Sequence, residues 1–246
     1  MKVYNSHDIK NIALLGNDGS GKTTLTESLL YHAGALKRRG RITMKNTVSD
    51  YLPVEQEYGY SVFATAFHVE WKGKKLNIID CPGSDDFVGA AMTALNVTDT
   101  AVLLINGGFG HEVGTQNHFR YTEKLGKPVI FLVNQLDSEN CDYEAIVEDL
   151  QNIYGPKVVP VQYPIETGPG FNSLIDVLLK KLSWSAEGGE PTIEEIPTEE
   201  RDRAEEMHKA LVEAAAENDE SLMEKFFETD HLSEDEMREG IRKGMV

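Results

Sequence analysis

Apolar residues gather in short runs at 12–15, 76–79, 101–105, 129–133 and 158–161. Between them, the stretches 23–32, 87–95, 116–125 and 142–153 repeat apolar positions at helical spacing. Uninterrupted apolar runs of this length read as strands buried on both faces, and the stretches between them as covering helices. The alternation predicts an α/β fold with a mostly parallel sheet. One pair breaks the pattern. Phe63, Phe67, Val69 and Trp71 share a period-two face, and Lys72-Gly73-Lys74 can turn the chain straight back, which predicts an antiparallel edge hairpin.

After Trp184 the texture changes to Ser-Ala-Glu-Gly-Gly-Glu-Pro, a loop signal. A helical pattern follows, with Thr198 as N-cap and Ala204, Met207, Leu211 and Ala215 at helical spacing. A second short helix presents Met223, Phe226 and Phe227, and a third opens with Ser233 and Glu236 in capping-box spacing. The expected organisation is a domain over 1–186 and a helical subdomain over 187–246. Charge divides the chain at the same place, since residues 187–239 carry a net −15 of the total −17. A chain this acidic has no basic stripe to follow a phosphate backbone, so autonomous nucleic-acid binding is not expected. It also has no apolar run of membrane length and no signal peptide at its start, so the expected location is cytoplasmic, with no membrane partner. Cys81 and Cys141 are too few for a disulfide framework and read as free thiols. His111 and His118, seven apart, could share a helix face, but no third metal ligand accompanies them.

The strongest chemical signal is Gly16-Asn17-Asp18-Gly19-Ser20-Gly21-Lys22-Thr23, followed by Thr24, between an expected strand and an expected helix. In that setting glycines let backbone N–H groups wrap phosphates, Lys22 reaches the β and γ oxygens, and the Thr23 hydroxyl suits Mg²⁺. A second element, Asp80-Cys81-Pro82-Gly83, closes the 76–79 strand. Its carboxylate can hold magnesium through water, and the Gly83 amide can meet a γ-phosphate. A third, Asn134-Gln135-Leu136-Asp137, closes the 129–133 strand, where Asp137 can accept two protons from the guanine edge that adenine does not offer. An Asp-Pro-Gly turn or a helix cap would explain either of the last two alone. Their order behind a phosphate loop points to a nucleotide.

Residues 8–246 resemble the G domain of bacterial elongation factor G and its paralogues, the translational GTPases. The family pattern A-H-x-D-A-G-K-T-T corresponds to Gly16 through Thr24, and R-G-I-T-I to Tyr58-Gly59-Tyr60-Ser61-Val62. D-x-P-G-H-x-D-F corresponds to Asp80 through Phe87, and N-K-x-D to Asn134 through Asp137. The resemblance implies GTP or GDP with Mg²⁺ as ligands, with Thr23, Ser61 and Asp80 as the metal's ligands, the last through water. It also implies that Val159 to Ile165 leads toward an inserted helical subdomain, and that the acidic segment is this insert, docking the ribosomal stalk. The usual meaning of such a charge run is a solvated exterior. The family's last base-binding loop and strand lie beyond the insert, which makes the expected chain a fragment with an incomplete base pocket.

Four departures surround the γ-phosphate and base. Ser84 stands where the family has the histidine that positions the attacking water, and a hydroxyl is too short for that role and no base near pH 7. Asp85 beside it adds negative charge toward an anionic transition state. Asp18 and Tyr60 replace the two apolar residues of the gate around that histidine, and Gly19 replaces an aspartate able to hold a monovalent cation. Gln135 replaces lysine but keeps an aliphatic stem for the base. The expected function is a GTP-binding domain of an elongation-factor-G-like translocation factor, in which GTP–Mg orders residues 40–61 and 80–95 and hydrolysis is weak or absent. The alternatives are an ordinary ribosome-stimulated GTPase and a ribosome-binding module without nucleotide.

Overall fold

In the computed structural model, residues 2–185 and 191–245 are described, and the chain forms two compact units, Met1–Gln135 and Leu136–Val246. The expected domain boundary at 186/187 lies outside the described residues. Together the elements make an α/β fold with a mixed, mostly parallel sheet flanked by helices.

The first unit holds a five-stranded sheet made of β1 (Ile9–Gly16), β2 (Thr65–Trp71), β3 (Lys74–Asp80), β4 (Thr100–Asn106) and β5 (Val129–Asn134). The strand order is β2-β3-β1-β4-β5, parallel except for the antiparallel β2–β3 hairpin at one edge. Its helices are α1 (Lys22–His32), the short α2 (Pro53–Tyr58), α3 (Val88–Val97) and α4 (Val113–Lys124). Successive residues of β1 serve opposite faces. Ala13 and Leu15 pack with Ala91, Leu95 and Leu103, whereas Leu14 packs with Leu30, Ile78 and Leu104. Burial on both faces is why the run at 12–15 carries no polar alternation. Because the strands run parallel, the C-terminal ends of β1, β3, β4 and β5 share one edge of the sheet, where an open α/β sheet collects its functional loops.

The second unit contains α5 (Tyr143–Tyr154), an antiparallel sheet of β6 (Gln162–Pro164), β7 (Ser173–Asp176), β8 (Lys181–Trp184) and β9 (Thr192–Glu194), and the helices α6 (Arg201–Ala216), α7 (Glu220–Thr229) and α8 (Glu234–Gly244). The sheet corrects the expected strand at 158–161. Val158 donates its N–H to the Gly155 carbonyl in a turn, and the strand starts at Gln162 and pairs antiparallel with β7. Pro160 lacks the N–H a central strand would need, and Pro164 is confined to an edge strand for the same reason. Residues 192–194, read as part of a helical segment, form β9 on the opposite edge.

Thr198 is also not the cap of α6: it opens a 3-10 turn, Thr198–Glu200, and α6 begins at Arg201. Asp219 caps α7 by accepting from Ser221 and Leu222 N–H groups. Ser233 and Glu236 form the expected capping box of α8. Tyr163 organises the junction of β6 with the start of α6, its hydroxyl 3.1 Å from Glu200 and its ring 4.3 Å beneath the Arg203 guanidinium. Helix α8 crosses α6 closely, because a Cβ on Gly240 would stand 2.3 Å from the Ala215 carbonyl oxygen. Both cysteines are free and buried.

Candidate functional site

Residues 16–23 join β1 to α1, and their shape rests on glycine. Gly21, the N-cap of α1, has φ +94°, and a Cβ there would meet the Asn134 amide at 2.3 Å. That left-handed backbone strains any larger residue, and the close approach excludes a side chain. Amides from neighbouring strand ends hold the loop from outside. Asn106 (3.2 Å) and Gln135 (2.8 Å) donate to the Gly19 carbonyl, and Asn134 donates to Ser20 O at 2.9 Å. Gln135 takes a left-handed backbone, φ +58°, to do so.

Lys22 is buried and turned back along the loop, donating to Gly16 O (2.9 Å) and Asn17 O (2.8 Å). Burial lowers its ammonium pKa, and the charges of Asp80 and Asp18 oppose the shift. Asp18 is exposed and accepts from Gly19 N–H at 2.9 Å. Gly83, after β3, approaches so closely that a Cβ would lie 2.6 Å from Lys22 Nζ and 2.7 Å from the Asp18 nitrogen.

Five hydroxyl and carboxylate side chains meet at the start of α1. Thr23 Oγ1 lies 3.3 Å from Ser61 Oγ, Ser61 donates to Asp50 Oδ1 at 2.7 Å, and Ser49 donates to Asp80 Oδ2 at 2.7 Å. Asp50 and Asp80 are both buried, and their remaining oxygens, Asp50 Oδ2 and Asp80 Oδ1, have no hydrogen-bond partner among the described residues. Burial raises both carboxyls. Asp80 reaches about 6, with the hydrogen bond from Ser49 opposing. Two buried acceptors without donors, next to two hydroxyls, fit the oxygen-only preference of magnesium.

The segment that delivers Ser49, Asp50 and Ser61 is fastened by two other buried carboxylates. Glu27 of α1 accepts from Gly40 N–H at 2.7 Å and from Val48 N–H at 2.5 Å. Glu55 of α2 accepts from Val62 and Phe63 N–H groups at 3.1 and 3.2 Å.

With this geometry in view, a family model described as the elongation factor Tu GTP binding domain matches residues 7–236. The chain is a GTP-binding domain of the translational GTPase family. It is 34% identical over 240 residues to an elongation factor G of Thermotoga petrophila, covering 97% of this chain and 34% of that protein. It is 31% identical over 243 residues to an elongation factor G-like protein of Thermotoga maritima, with the same coverage of both chains. A crystal structure of a Thermus thermophilus protein superposes with a TM-score of 0.89 at 35% identity, covering 96% of this chain and 36% of that one. The GTP-binding domain thus spans about a third of the length of the curated relatives it matches.

The expected site residues of this GTP-binding domain fall in two groups. Gly16 to Thr24, Ser61, Asp80, Gly83, Asn134 and Gln135 all lie in the first unit, and the contacts above join most of them directly. Asp137 is exposed and belongs to the second unit. Ser84 serves the local backbone, because its hydroxyl accepts from Asp86 N–H at 3.3 Å and caps the 3-10 turn Asp85–Phe87. Asp85 is drawn toward α4 by the Asn117 amide at 3.3 Å. The Tyr60 ring lies 5.8 Å from Tyr58 and 6.4 Å from Phe87, an aromatic row across the two loops that flank the site. His111 precedes α4 while His118 lies within it, so the two do not share a helix face.

Ser49, Asp50, Glu27, Glu55 and Asn106 are the residues that motif reading missed. Glu27, Ser49 and Asn106 hold partners 13, 31 and 87 residues away, whereas Asp50, 11 residues before Ser61, and Glu55, 7 before Val62, sit close enough for a local signal to have found them.

Proposed function

We propose that this domain binds GTP with Mg²⁺ as part of an elongation-factor-G-like ribosomal translocation factor, using the nucleotide as a conformational ligand with weak or absent hydrolysis. The observation that carries the reading is the pair of buried, donorless carboxylate oxygens on Asp50 and Asp80 beside the Thr23 and Ser61 hydroxyls. Thr23 and Ser61 would hold the ion directly, and Asp80, joined by Asp50, through water. The ion would neutralise phosphate charge. Lys22 and the amides of residues 16–24 would take the phosphates, and Asn134, Gln135 and Asp137 the base. Because Ser49, Asp50 and Ser61 come from one segment, nucleotide and metal would order residues 40–61, together with 80–95 around Gly83.

Weak hydrolysis follows from the side chains around Gly83. A water-orienting group and stabilised charge are worth roughly 4–7 kcal/mol in this chemistry, at about 1.4 kcal/mol per tenfold. Here Ser84 caps a turn, Asp85 adds an anion, and neither Asp18 nor Tyr60 is apolar. The acidic region after residue 187, read as an inserted subdomain, would recruit the ribosomal stalk. The test is GTP binding and phosphate release by the full-length protein with and without ribosomes. Binding without stimulated release supports the proposal, and rapid ribosome-stimulated release refutes it.

Ordinary turnover, the second reading, draws on one observation. His118 is buried, its Nδ1 has no partner among the described residues, and it feels the charges of Lys22 and Asp85. If release is rapid, a His118→Phe variant should abolish it.

A further inference from the structure

One contact of the phosphate loop comes from a helix that carries none of the nucleotide motifs. Asn17 Nδ2 donates to Glu112 Oε1 at 2.6 Å, 95 residues away in sequence. Glu112 is the N-cap of α4, and its carbonyl accepts from Gln116 N–H at 3.2 Å, so the helix fixes its backbone. Its carboxylate caps nothing. It turns to the loop instead, at a helix N-terminus that favours a negative charge. Its Oε2 is buried without a hydrogen-bond partner among the described residues, so the carboxylate holds the loop through Oε1. Helix α4 is anchored in turn by Gly114, Thr115, His118 and Thr122, all buried.

The Asn17 side chain is confined on its other side as well, because a Cβ on Gly114 would overlap Asn17 Oδ1. Glycine is a poor helix former, and Gly114 has no positive φ to require it. Room for Asn17 is what the missing side chain provides. From Asn17 the constraint passes to the phosphate-binding atoms. Asn17 O accepts from Lys22 Nζ at 2.8 Å, and a Cβ on Gly83 would lie 2.8 Å from the Asn17 carbonyl carbon. Asn17 therefore belongs to the end of the loop that Gly83 approaches, whereas the amides of Asn106 and Gln135 hold the Gly19 end.

We propose that Glu112 is a positioning residue for GTP: acting through Asn17, it fixes the γ-phosphate end of the phosphate loop and sets how long the triphosphate stays bound. The inference rests on the nucleotide reading above and adds to that site a residue from α4. A hydrogen bond to a carboxylate is shorter and stronger than one between neutral groups, so the Asn17 side chain has one place to be. With Asn17 fixed, its carbonyl keeps Lys22 in place and the loop need not be ordered when phosphate arrives. Released, Asn17 would let that carbonyl and the Gly83 contact drift together, which costs the γ-phosphate more than the β. An amide also stays a donor throughout the neutral pH range, unlike the histidine of the family pattern at this position.

The test measures release of fluorescently labelled GTP and GDP from the full-length protein on displacement by excess unlabelled nucleotide, with thermal melts alongside. Glu112→Ala should speed GTP release about tenfold or more, and GDP release by no more than about threefold. Glu112→Gln keeps an acceptor without the charge and should fall between Glu112→Ala and the unaltered protein. Asn17→Asp sets two carboxylates against each other and should release GTP at least as fast as Glu112→Ala. Adding Glu112→Gln to Asn17→Asp restores a donor–acceptor pair in the reverse sense, and should bring the rate to within about threefold of the unaltered one. Gly114→Ala should also speed GTP release, although alanine favours the helix. An unchanged GTP release rate in Glu112→Ala, equal acceleration of GTP and GDP, or a double variant no slower than Asn17→Asp overturns the proposal. Glu112→Gln, nearly the same shape, keeps the test valid should Glu112→Ala fold poorly. If the unaltered protein binds no GTP, the nucleotide reading falls and this inference with it. Normal GTP binding with release rates that ignore the variants refutes this inference alone.

Discussion

Replacing Asp80 with asparagine should stabilise the metal-free domain at neutral pH while removing its stabilisation by magnesium. The Asp80 carboxyl is raised from 3.8 to about 6 by burial. A carboxyl whose folded pKa lies above its unfolded value binds protons more tightly in the folded state, so the metal-free fold loses stability as pH rises from about 4 through 6. A shift of about two units corresponds to about 3 kcal/mol of cost above pH 6. Asparagine removes that charge and can still accept from Ser49. Its new N–H group costs roughly 1–2 kcal/mol if left unpaired. The net gain without metal is therefore about 1–2 kcal/mol, or several degrees in Tm for a domain of this size. With saturating Mg²⁺ and GTP the order should reverse, because the ion supplies the charge that burial denies. Thermal melts of both proteins at pH 4–8, in chelator and in magnesium with GTP, measure this. Loss of stability by the variant in chelator at pH 7, or equal magnesium stabilisation of the two proteins, would show that the carboxylate is not held for a cation.

A Gly83→Ala variant should lose GTP affinity by tenfold or more and also melt at a lower temperature, since the added methyl overlaps Lys22 and the Asn17–Asp18 backbone, and calorimetry will show both. Ser84→Ala should cost about 1 kcal/mol through loss of a cap, seen by denaturant titration, and leave phosphate release at the unaltered level. Ser84→His should raise release only slightly, because Asp85 and Tyr60 are unchanged; full family-like turnover would refute the account of weak hydrolysis. Asp137→Asn in the full-length protein should shift preference from guanine toward xanthine nucleotides, and retained GTP preference in competition binding would count against Asp137 as the base reader.

The first sheet was legible because β1 and β4 are buried on both faces, which leaves uninterrupted apolar runs at 12–15 and 101–105, while the run at 129–133 is as apolar although β5 is an edge strand with Ile130 exposed. The run at 158–161 looks the same in composition, but Pro160 and the turn at Val158 exclude it from a ladder, and apolarity alone does not reveal that. Strands β6 to β9 are three or four residues long and β9 is wholly exposed, too little for a period-two signal to develop. The capping box of α8 was legible because it is local, as was the phosphate loop. Glu27, Ser49 and Asn106 were not, because a buried carboxylate, serine or asparagine has no spacing rule that ties it to a partner elsewhere in the chain.

The amides of Asn106, Asn134 and Gln135 on the Gly19 and Ser20 carbonyls bear on how far the octapeptide 16–23 can travel. Those carbonyls point away from the loop's interior only while donors from the ends of β4 and β5 hold them. The sequence motif is therefore half of a device whose other half is encoded 87 to 116 residues later. Transplanted between a strand and a helix of another protein, the eight residues should bind phosphate poorly until three amide donors are supplied at the neighbouring strand ends. Engineering of phosphate sites on such sheets is then a problem of furnishing the edge of the sheet, with the glycine-rich loop as the last part to be added.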